Sequence, residues 1–387
     1  MSGYQKIVGN LLSQAHIVIN GNMPPDIQVR DKRFYERVMR EGSMGLGESY
    51  MDGWWDCRRI DELIYRVLKE KLPDKIKKNI KALFYYFLSR IFNLQSRARA
   101  GIVARRHYDL GNDLFSSFLD PYLQYSCAFF ENTDDLNEAQ QKKLDLICRK
   151  LNLQAEDHVL DIGCGWGGLA RYMTEHYGCE VTAVNISDEQ LAFAQEFCKN
   201  LPVTFIHQDY REISGNFDKI VSIGMFEHVG YKNYRTFMEI CHRCLKDDGI
   251  FLLQTIGGNT SMVNCDAWIN RYIFPNGMLP SIAQIAKASE GLFVLEDIHN
   301  LGPHYHKTLL AWHERFQKAW PKLEAAYGEQ FKRMWEYYLL SCAGTFRARD
   351  IQIWQIVMTK QGAVQPQCRS VKTAIRVGQS TDGIMSL

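Results

Sequence analysis

His158-Val159-Leu160-Asp161-Ile162-Gly163-Cys164-Gly165-Trp166-Gly167-Gly168 is the stretch on which the reading of this chain turns. An apolar run carrying one carboxylate predicts a buried strand that stops at Gly163. The glycines predict a tight turn, and the residues after them a helix. A glycine turn leading into a helix N-terminus is a nucleotide-type pocket. Gly163, Gly165 and Gly168 satisfy G-x-G-x-x-G, but that pattern alone is weak. Dinucleotide sites want an acid near the end of the second strand to bind the ribose. That place holds an amide here, in Val184-Asn185-Ile186-Ser187. Asp161, beside the first glycine, would repel a pyrophosphate. A cationic sulfonium with an α-amino group tolerates it, so the pocket points to S-adenosylmethionine. Asp209-Tyr210, after the third predicted strand, stand where an adenine edge would lie.

From about 107 to 360, predicted strands and helices alternate, as in a parallel sheet with helices on both faces. Strands are expected at 158–163, 180–186, 203–208, 219–223, 250–255, 293–298 and 351–358. Helices are expected at 136–151 and 167–177, and another opens on the capping-box pattern Ser187-Asp188-Glu189-Gln190. Leu309, Trp312, Phe316 and Trp320 fall on one helical face. Residues 1–70 read as mainly helical with a short extended piece at 26–29. Within them, residues 42–55 are rich in glycine and aromatics and read as a turn region. Residues 71–106 carry Lys71, Lys75, Lys77, Lys78, Lys81, Arg90, Arg97, Arg99, Arg105 and Arg106 against Asp74 alone, interleaved with Phe84, Tyr85, Tyr86 and Phe87. This composition suits the interface of an anionic membrane, and equally a helix packed on its neighbour with a solvated basic face. Residues 361–387 are polar and unpatterned and are expected to form a disordered tail.

The totals set bounds. With 387 residues, more than one domain is expected. A net charge of +2 gives no global field for nucleic acid. The 11 cysteines are scattered and odd in number, which fits free thiols in a cytoplasmic setting. No apolar run reaches the roughly 20 residues of a spanning helix, so membrane contact is expected to be peripheral. Cys241-His242-Arg243-Cys244 is a lone C-x-x-C on a predicted helix, which makes zinc improbable. His304-Tyr305-His306 reads as a loop, His228 as a packed loop residue, and Trp54-Trp55 as core.

Further stretches carry a family resemblance. His107-Tyr108-Asp109-Leu110-Gly111-Asn112-Asp113-Leu114-Phe115 and Tyr125-Ser126-Cys127-Ala128-Phe129-Phe130 resemble the cyclopropane-fatty-acyl-phospholipid synthases. So do residues 161–168, Gly224-Met225-Phe226-Glu227-His228-Val229-Gly230, Tyr272-Ile273-Phe274-Pro275-Asn276-Gly277 and Phe346-Arg347-Ala348-Arg349-Asp350. The likeness runs over nearly all of residues 1–360. Residues 42–55 are similar to the N-terminal domain of these synthases, which the shorter mycolic-acid relatives lack.

The resemblance implies an α/β fold: a Rossmann-like, doubly wound class I methyltransferase sheet at 107–360, with a smaller, mainly helical N-terminal domain at 1–70 joined by the basic linker 71–106. It implies attack of a cis double bond of a phospholipid acyl chain on the methyl group of S-adenosylmethionine. The carbocation then loses a proton to a bound bicarbonate and closes to a cyclopropane. It further implies that the bicarbonate ligands are Glu227, Tyr305 and the backbones of Cys127 and Ile256. Tyr125, Ser126, Leu160, Asp161, Gly163, Gly165, Gly167, Gly168, Asn185, Ile186, Ser187, Gln190, Asp209 and Tyr210 are implied to hold the cofactor. Cys342 matches a cysteine considered as a nucleophile, although this chemistry has no obvious need of one. The partners implied are a phospholipid bilayer surface and a second copy of the chain, at the inner face of the membrane. One position departs from the pattern: the family's His-Thr-Ile-Gly is Gln254-Thr255-Ile256-Gly257 here. Glutamine donates and accepts but does not titrate. That leaves open a second product, a methyl-branched or methylene fatty acyl chain made by a methyltransferase of the same family.

Overall fold

The computed structural model describes residues 3–75, 111–263 and 265–368. Most of the basic 71–106 segment, the stretch 107–110 and the tail from 369 onward lie outside the described residues. The N-terminal part comprises α1 (Gly3–Gln14), β1 (Gln28–Val29), α2 (Arg33–Glu41), α3 (Ser43–Met51), β2 (Trp55–Asp56), α4 (Ile60–Lys69) and α5 (Leu72–Lys75). The expected turn at 42–55 is therefore mostly the helix α3. Its glycines serve close approach: a Cβ on Gly45 would strike the Arg37 carbonyl, and one on Gly47 would enter the Trp268 indole. Trp55 is fully buried beside Tyr50, while Trp54 lies beneath the guanidinium groups of Arg33 and Arg37.

The remainder runs α6 (Asn112–Phe118), α7 (Leu136–Lys150), β3 (His158–Ile162), α8 (Gly168–Tyr177), β4 (Glu180–Asn185), α9 (Asp188–Phe197), β5 (Val203–His207), β6 (Phe217–Ile223), α10 (Tyr234–Cys244), β7 (Leu245–Gly258), α11 (Ala267–Tyr272), α12 (Ile282–Ser289), β8 (Val294–Asn300), α13 (Gly302–Arg347) and β9 (Ile351–Thr359). The strand order is β5-β4-β3-β6-β7-β9-β8. The first five strands are mutually parallel, as expected of a doubly wound α/β sheet. The last strand breaks the parallel rule, for β9 is antiparallel to both neighbours.

The cause of that reversal is α13. It is interrupted at Gly328, where φ is +74° and ψ 164°, a backbone conformation that favours glycine. The two halves fold back on each other: Tyr305 packs on Phe346 with centroids 4.5 Å apart, and Gln317 donates to Glu336. Both ends of this hairpin sit at the carboxyl edge of the sheet, where Leu301 N–H donates to Ile353 O at 2.8 Å. The chain re-enters from that edge, so β9 must run opposite to β7. The expected loop at 304–306 is the first turn of α13, which opens with Pro303. The capping box at Ser187 is half formed. Its hydroxyl accepts from Gln190 N–H, but the Gln190 side chain is taken by Asn185 instead.

One apolar core runs from Val8 and Trp55 through Phe115 and Trp312 to Ile353. The N-terminal part therefore rests on the returning half of α13 and on α11. Arg333 donates to the Tyr50 and Trp55 carbonyls, Tyr337 packs on Trp268, and Tyr272 donates to Glu48 at 2.7 Å. Gly47→Ala pushes a methyl group into this seam. It should lower stability by about 1–3 kcal/mol, read as a fall in the urea or thermal midpoint. An unchanged midpoint would show that Trp268 does not seat α3.

Candidate active site

The carboxyl ends of β3, β4 and β6 open into one cleft, at the point where the strand order reverses direction. Asp161, Gly163 and Gly165 form its floor, Asn185, Ile186, Ser187 and Gln190 one wall, and Asp209 and Tyr210 its far corner. Tyr125 and Ser126 reach over it from the segment before α7. Eleven of the predicted cofactor residues thus meet in one place. Leu160, Gly167 and Gly168 do not line it. Leu160 points into the apolar layer with Ile162 and Phe217, because alternate strand residues face opposite sides of the sheet. Gly168 lies against the Tyr122 carbonyl, where any Cβ would collide. It lets the 120–126 segment close over the start of α8.

Asn185 occupies the ribose position but is already engaged. Its amide donates to Gln190 Oε1 at 2.9 Å, and its oxygen accepts from Ile186 N–H at 2.8 Å. Asp209 caps the turn after β5 and pairs with Arg211 at 2.8 Å. The Arg211 guanidinium lies over the Tyr210 ring.

Of the residues predicted for chemistry, Glu227, Tyr305, Cys127 and Gln254 are buried and Ile256 and Cys342 are half-buried. Glu227 sits on a short 3-10 turn, Phe226–His228, and its Oε1 accepts from Ile256 N–H at 2.6 Å. Oε2 is buried without a protein partner. The Tyr305 ring lies edge-on to Trp312 with centroids 6.0 Å apart, and burial pushes its hydroxyl well above the ordinary tyrosine range. Tyr125 stacks on Trp312 at 5.2 Å and shares a hydrogen bond of 2.9 Å with the Tyr338 hydroxyl. Cys127 is fully buried, and its thiol donates to the Ala128 and Leu301 carbonyls. Gln254 lies on the same face of β7 as Ile256. Its Oε1 accepts from Gln355 at 3.0 Å, and its Nε2 is buried without a partner.

Desolvation sets the protonation states. Burial pushes the Asp161 carboxyl up to about 7, opposed by the charge of Lys143. Burial likewise raises Glu227 to about 7, opposed by the Ile256 N–H. His228 is pushed down to about 4 by burial, so it is neutral at physiological pH. Burial raises the Cys342 thiol to about 12, which leaves it protonated and a poor nucleophile. Cys241 and Cys244 are buried free thiols on α10, and no metal-holding cluster occurs among the described residues.

Sequence reasoning missed Gln124, Met225, His228 and Arg211 in the cleft lining. It also missed Lys143, whose buried ammonium donates to Gln124 and Ser126 of that lining. A signal was present: Gln140, Lys143 and Lys150 fall on the same helical stripe as Leu136, Ala139 and Ile147, and polar residues on a buried face ask for partners.

A sequence profile of the family described as mycolic acid cyclopropane synthetase matches residues 95–356. The cyclopropane-fatty-acyl-phospholipid synthase of Escherichia coli (strain K12) is 55% identical over 357 residues, covering 92% of this chain and 94% of that protein. A probable fatty acid methyltransferase of Pseudomonas putida is 36% identical over 267 residues, covering 66% of this chain and 68% of the other. Among solved structures, mycolic acid cyclopropane synthase CmaA1 complexed with SAH and CTAB superposes with a TM-score of 0.63 at 34% identity. It covers 67% of this chain and 98% of its own.

The raised carboxylates make stability depend on pH. In the ligand-free protein Glu227 holds its proton more tightly folded than unfolded. Its contribution to stability therefore falls as pH rises from the ordinary glutamate range to about 7, and levels off above that. Glu227→Gln keeps the acceptor for Ile256 N–H and removes the titration. Between about pH 5 and 8 the variant should lose less unfolding free energy than the parent, by up to roughly 3 kcal/mol. Parallel urea titrations at both pH values measure this, and equal losses would show an ordinary Glu227.

Proposed function

The chain belongs to the mycolic acid cyclopropane synthetase family, and we propose that it adds a methylene carbon from S-adenosylmethionine across the cis double bond of unsaturated phospholipid acyl chains, forming cyclopropane fatty acids. The observation that carries this reading is a buried Glu227 between the cleft residues Met225 and His228, with Tyr305 joined to the cleft residue Tyr125 through the Trp312 ring. Bound in that cleft, S-adenosylmethionine supplies an electrophilic methyl group on a cationic sulfur. Asp161 offers negative potential to its positive pole, and the Asn185–Gln190 corner shapes the ribose wall.

An alkene is a weak nucleophile, so the protein must align it and exclude water. The stacked Tyr125 and Trp312 and the pair Tyr305–Phe346 provide ring faces. Each such face stabilises a desolvated cation by up to about 2 kcal/mol. The carbocation on the acyl chain therefore lives long enough to lose a proton and close.

The buried polar atoms fit a small anion here. Glu227 Oε2 and Gln254 Nε2 both lack protein partners. Glu227, Gln254, the Tyr305 hydroxyl and the Cys127 backbone would hold bicarbonate, which supplies a base for the departing proton. Ile256 N–H is used by Glu227, so its part in holding the anion passes through that carboxylate. Gln254 orients but does not titrate, so no imidazole relays a proton at this position.

No helix among the described residues is long and apolar enough to cross a membrane. Ile7, Val18 and Met23 nevertheless expose apolar side chains on the N-terminal part, and the basic, aromatic sequence of 71–106 follows it. These features support peripheral docking on the anionic inner face of a bilayer, where each basic residue near the surface adds about 1 kcal/mol. A homodimer is part of the same reading, on the family resemblance.

Incubation of the protein with S-adenosylmethionine and vesicles of unsaturated phospholipid should give acyl chains heavier by one CH2, with the double bond lost, by mass spectrometry. A product that keeps a double bond, or that gains two further hydrogens, would support the fatty-acyl methyltransferase reading instead. Glu227→Gln should lower turnover by about 100-fold or more and change affinity for S-adenosylhomocysteine little. Equal losses in both would remove Glu227 from the chemistry.

A further inference from the structure

Gln254 on β7 and Gln355 on β9 stand directly opposite each other in the antiparallel pairing, and both are fully buried. Their side chains therefore share one face of the sheet. Gln355 Nε2 donates to Gln254 Oε1 at 3.0 Å. Two polar atoms are left over, for Gln254 Nε2 and Gln355 Oε1 are buried without a partner. Burying two amides for one hydrogen bond is unfavourable, since each can donate twice and accept twice. An apolar pair of similar shape would be nearly neutral or stabilising in the same place. The orphaned atoms therefore ask for a group that completes them.

The strands that carry the pair also carry backbone of the proposed anion site. Two residues beyond Gln254, Ile256 N–H donates to Glu227 Oε1 at 2.6 Å, and Ile256 pairs with Ile353. Ile353 belongs to the apolar core that contains Tyr305 and Cys127. Its carbonyl accepts from Leu301 N–H, and the Leu301 carbonyl accepts from the Cys127 thiol. The Gln254 carbonyl in turn accepts from the N–H of Gly224, a residue of the cofactor cleft, at 2.9 Å. Hydrogen bonds thus tie this part of β7 and β9 to the cleft edge, to Glu227 and to the Cys127 segment.

We propose that Gln355 is a positioning residue for the anion site: by donating to Gln254 Oε1 it fixes which way that amide faces and leaves Gln254 Nε2 as a donor for a small anion. The inference rests on reading Gln254 as a ligand of bicarbonate. The two ends of a glutamine amide are almost the same shape, one a donor and the other an acceptor. Packing does not tell them apart, but a hydrogen bond to one end does. Turned over, Gln254 would present its oxygen to a negative charge and repel it.

Titration of the full chain with sodium bicarbonate in carbonate-depleted buffer, followed by carbon NMR of the labelled ion, tests this on the parent, Gln355→Met, Gln254→Met and the double variant. Gln355→Met keeps the length of the side chain without its donor. It should weaken bicarbonate binding by about tenfold, because Gln254 is then free to turn its oxygen to the anion. Gln254→Met should weaken it by about as much. Affinity for S-adenosylhomocysteine in Gln355→Met should change by less than about twofold. In the Gln254→Met background the same substitution should cost bicarbonate binding less than about threefold, since the amide it orients is gone. An equal loss in both backgrounds shows packing alone and overturns the proposal, as does unchanged bicarbonate affinity in Gln355→Met or a matching loss of S-adenosylhomocysteine affinity. Absence of bicarbonate binding by the parent, or full binding by Gln254→Met, overturns the reading of the anion site itself. Should Gln355→Met fail to fold, Gln355→Asn keeps an amide in the sheet but withdraws it by one methylene group, and is held to the same outcomes.

Discussion

Removing two carboxylates from water sets the terms for this site. Asp161 and Glu227 are both buried, and burial raises both toward neutrality. Burying a carboxylate is unfavourable unless something compensates it. The charge of Lys143 opposes that burial at Asp161, and the Ile256 N–H is the foremost group opposing it at Glu227. Each also keeps one oxygen without a protein partner. Such orphaned acceptors in a folded core point to a missing ligand, because unpaired buried polar atoms are otherwise rare. The dryness that makes them costly is also what a carbocation needs, since water would trap it.

The hairpin of α13 connects that site to the rest of the molecule. Its first turn supplies Tyr305, and its returning half supplies Tyr338 and Cys342. The same returning half carries Arg333, Tyr337 and Gly344, against which the N-terminal part is seated. Its ends fix the direction of β9 and hence the pairing of Ile256 with Ile353. A shift of α13 would therefore move the Tyr305 hydroxyl, the Ile256 amide and the N-terminal seat together.

Local patterns were legible wherever a short stretch carried its own constraint. The strand and turn at 158–168 were readable because a short apolar run ending in positive-φ glycines leaves few other conformations. The burial of Leu309, Trp312, Phe316 and Trp320 followed from spacing alone. The helix α3 was not readable, since its glycines look like turn signals until Trp268 and the Arg37 carbonyl are seen to occupy the space a side chain would fill. The helical start at 303–306 was hidden for a similar reason: a proline beside histidines reads as a loop unless it is known to stand at the first helical turn.

The chain by itself determined the α/β class, the glycine turn with its carboxylate, and a family likeness strong enough to name the chemistry. Those follow from periodicity and from motifs whose residues are neighbours along the chain. Tertiary structure alone decided that β9 runs antiparallel, that Leu160, Gly167 and Gly168 stand outside the cleft lining, and that Glu227 takes the Ile256 amide. It alone set the Lys143 ammonium against Gln124 and Ser126. These outcomes depend on which residues far apart in the chain share a desolvated volume, and the free energy of a charge depends on that volume, not on its neighbours in sequence.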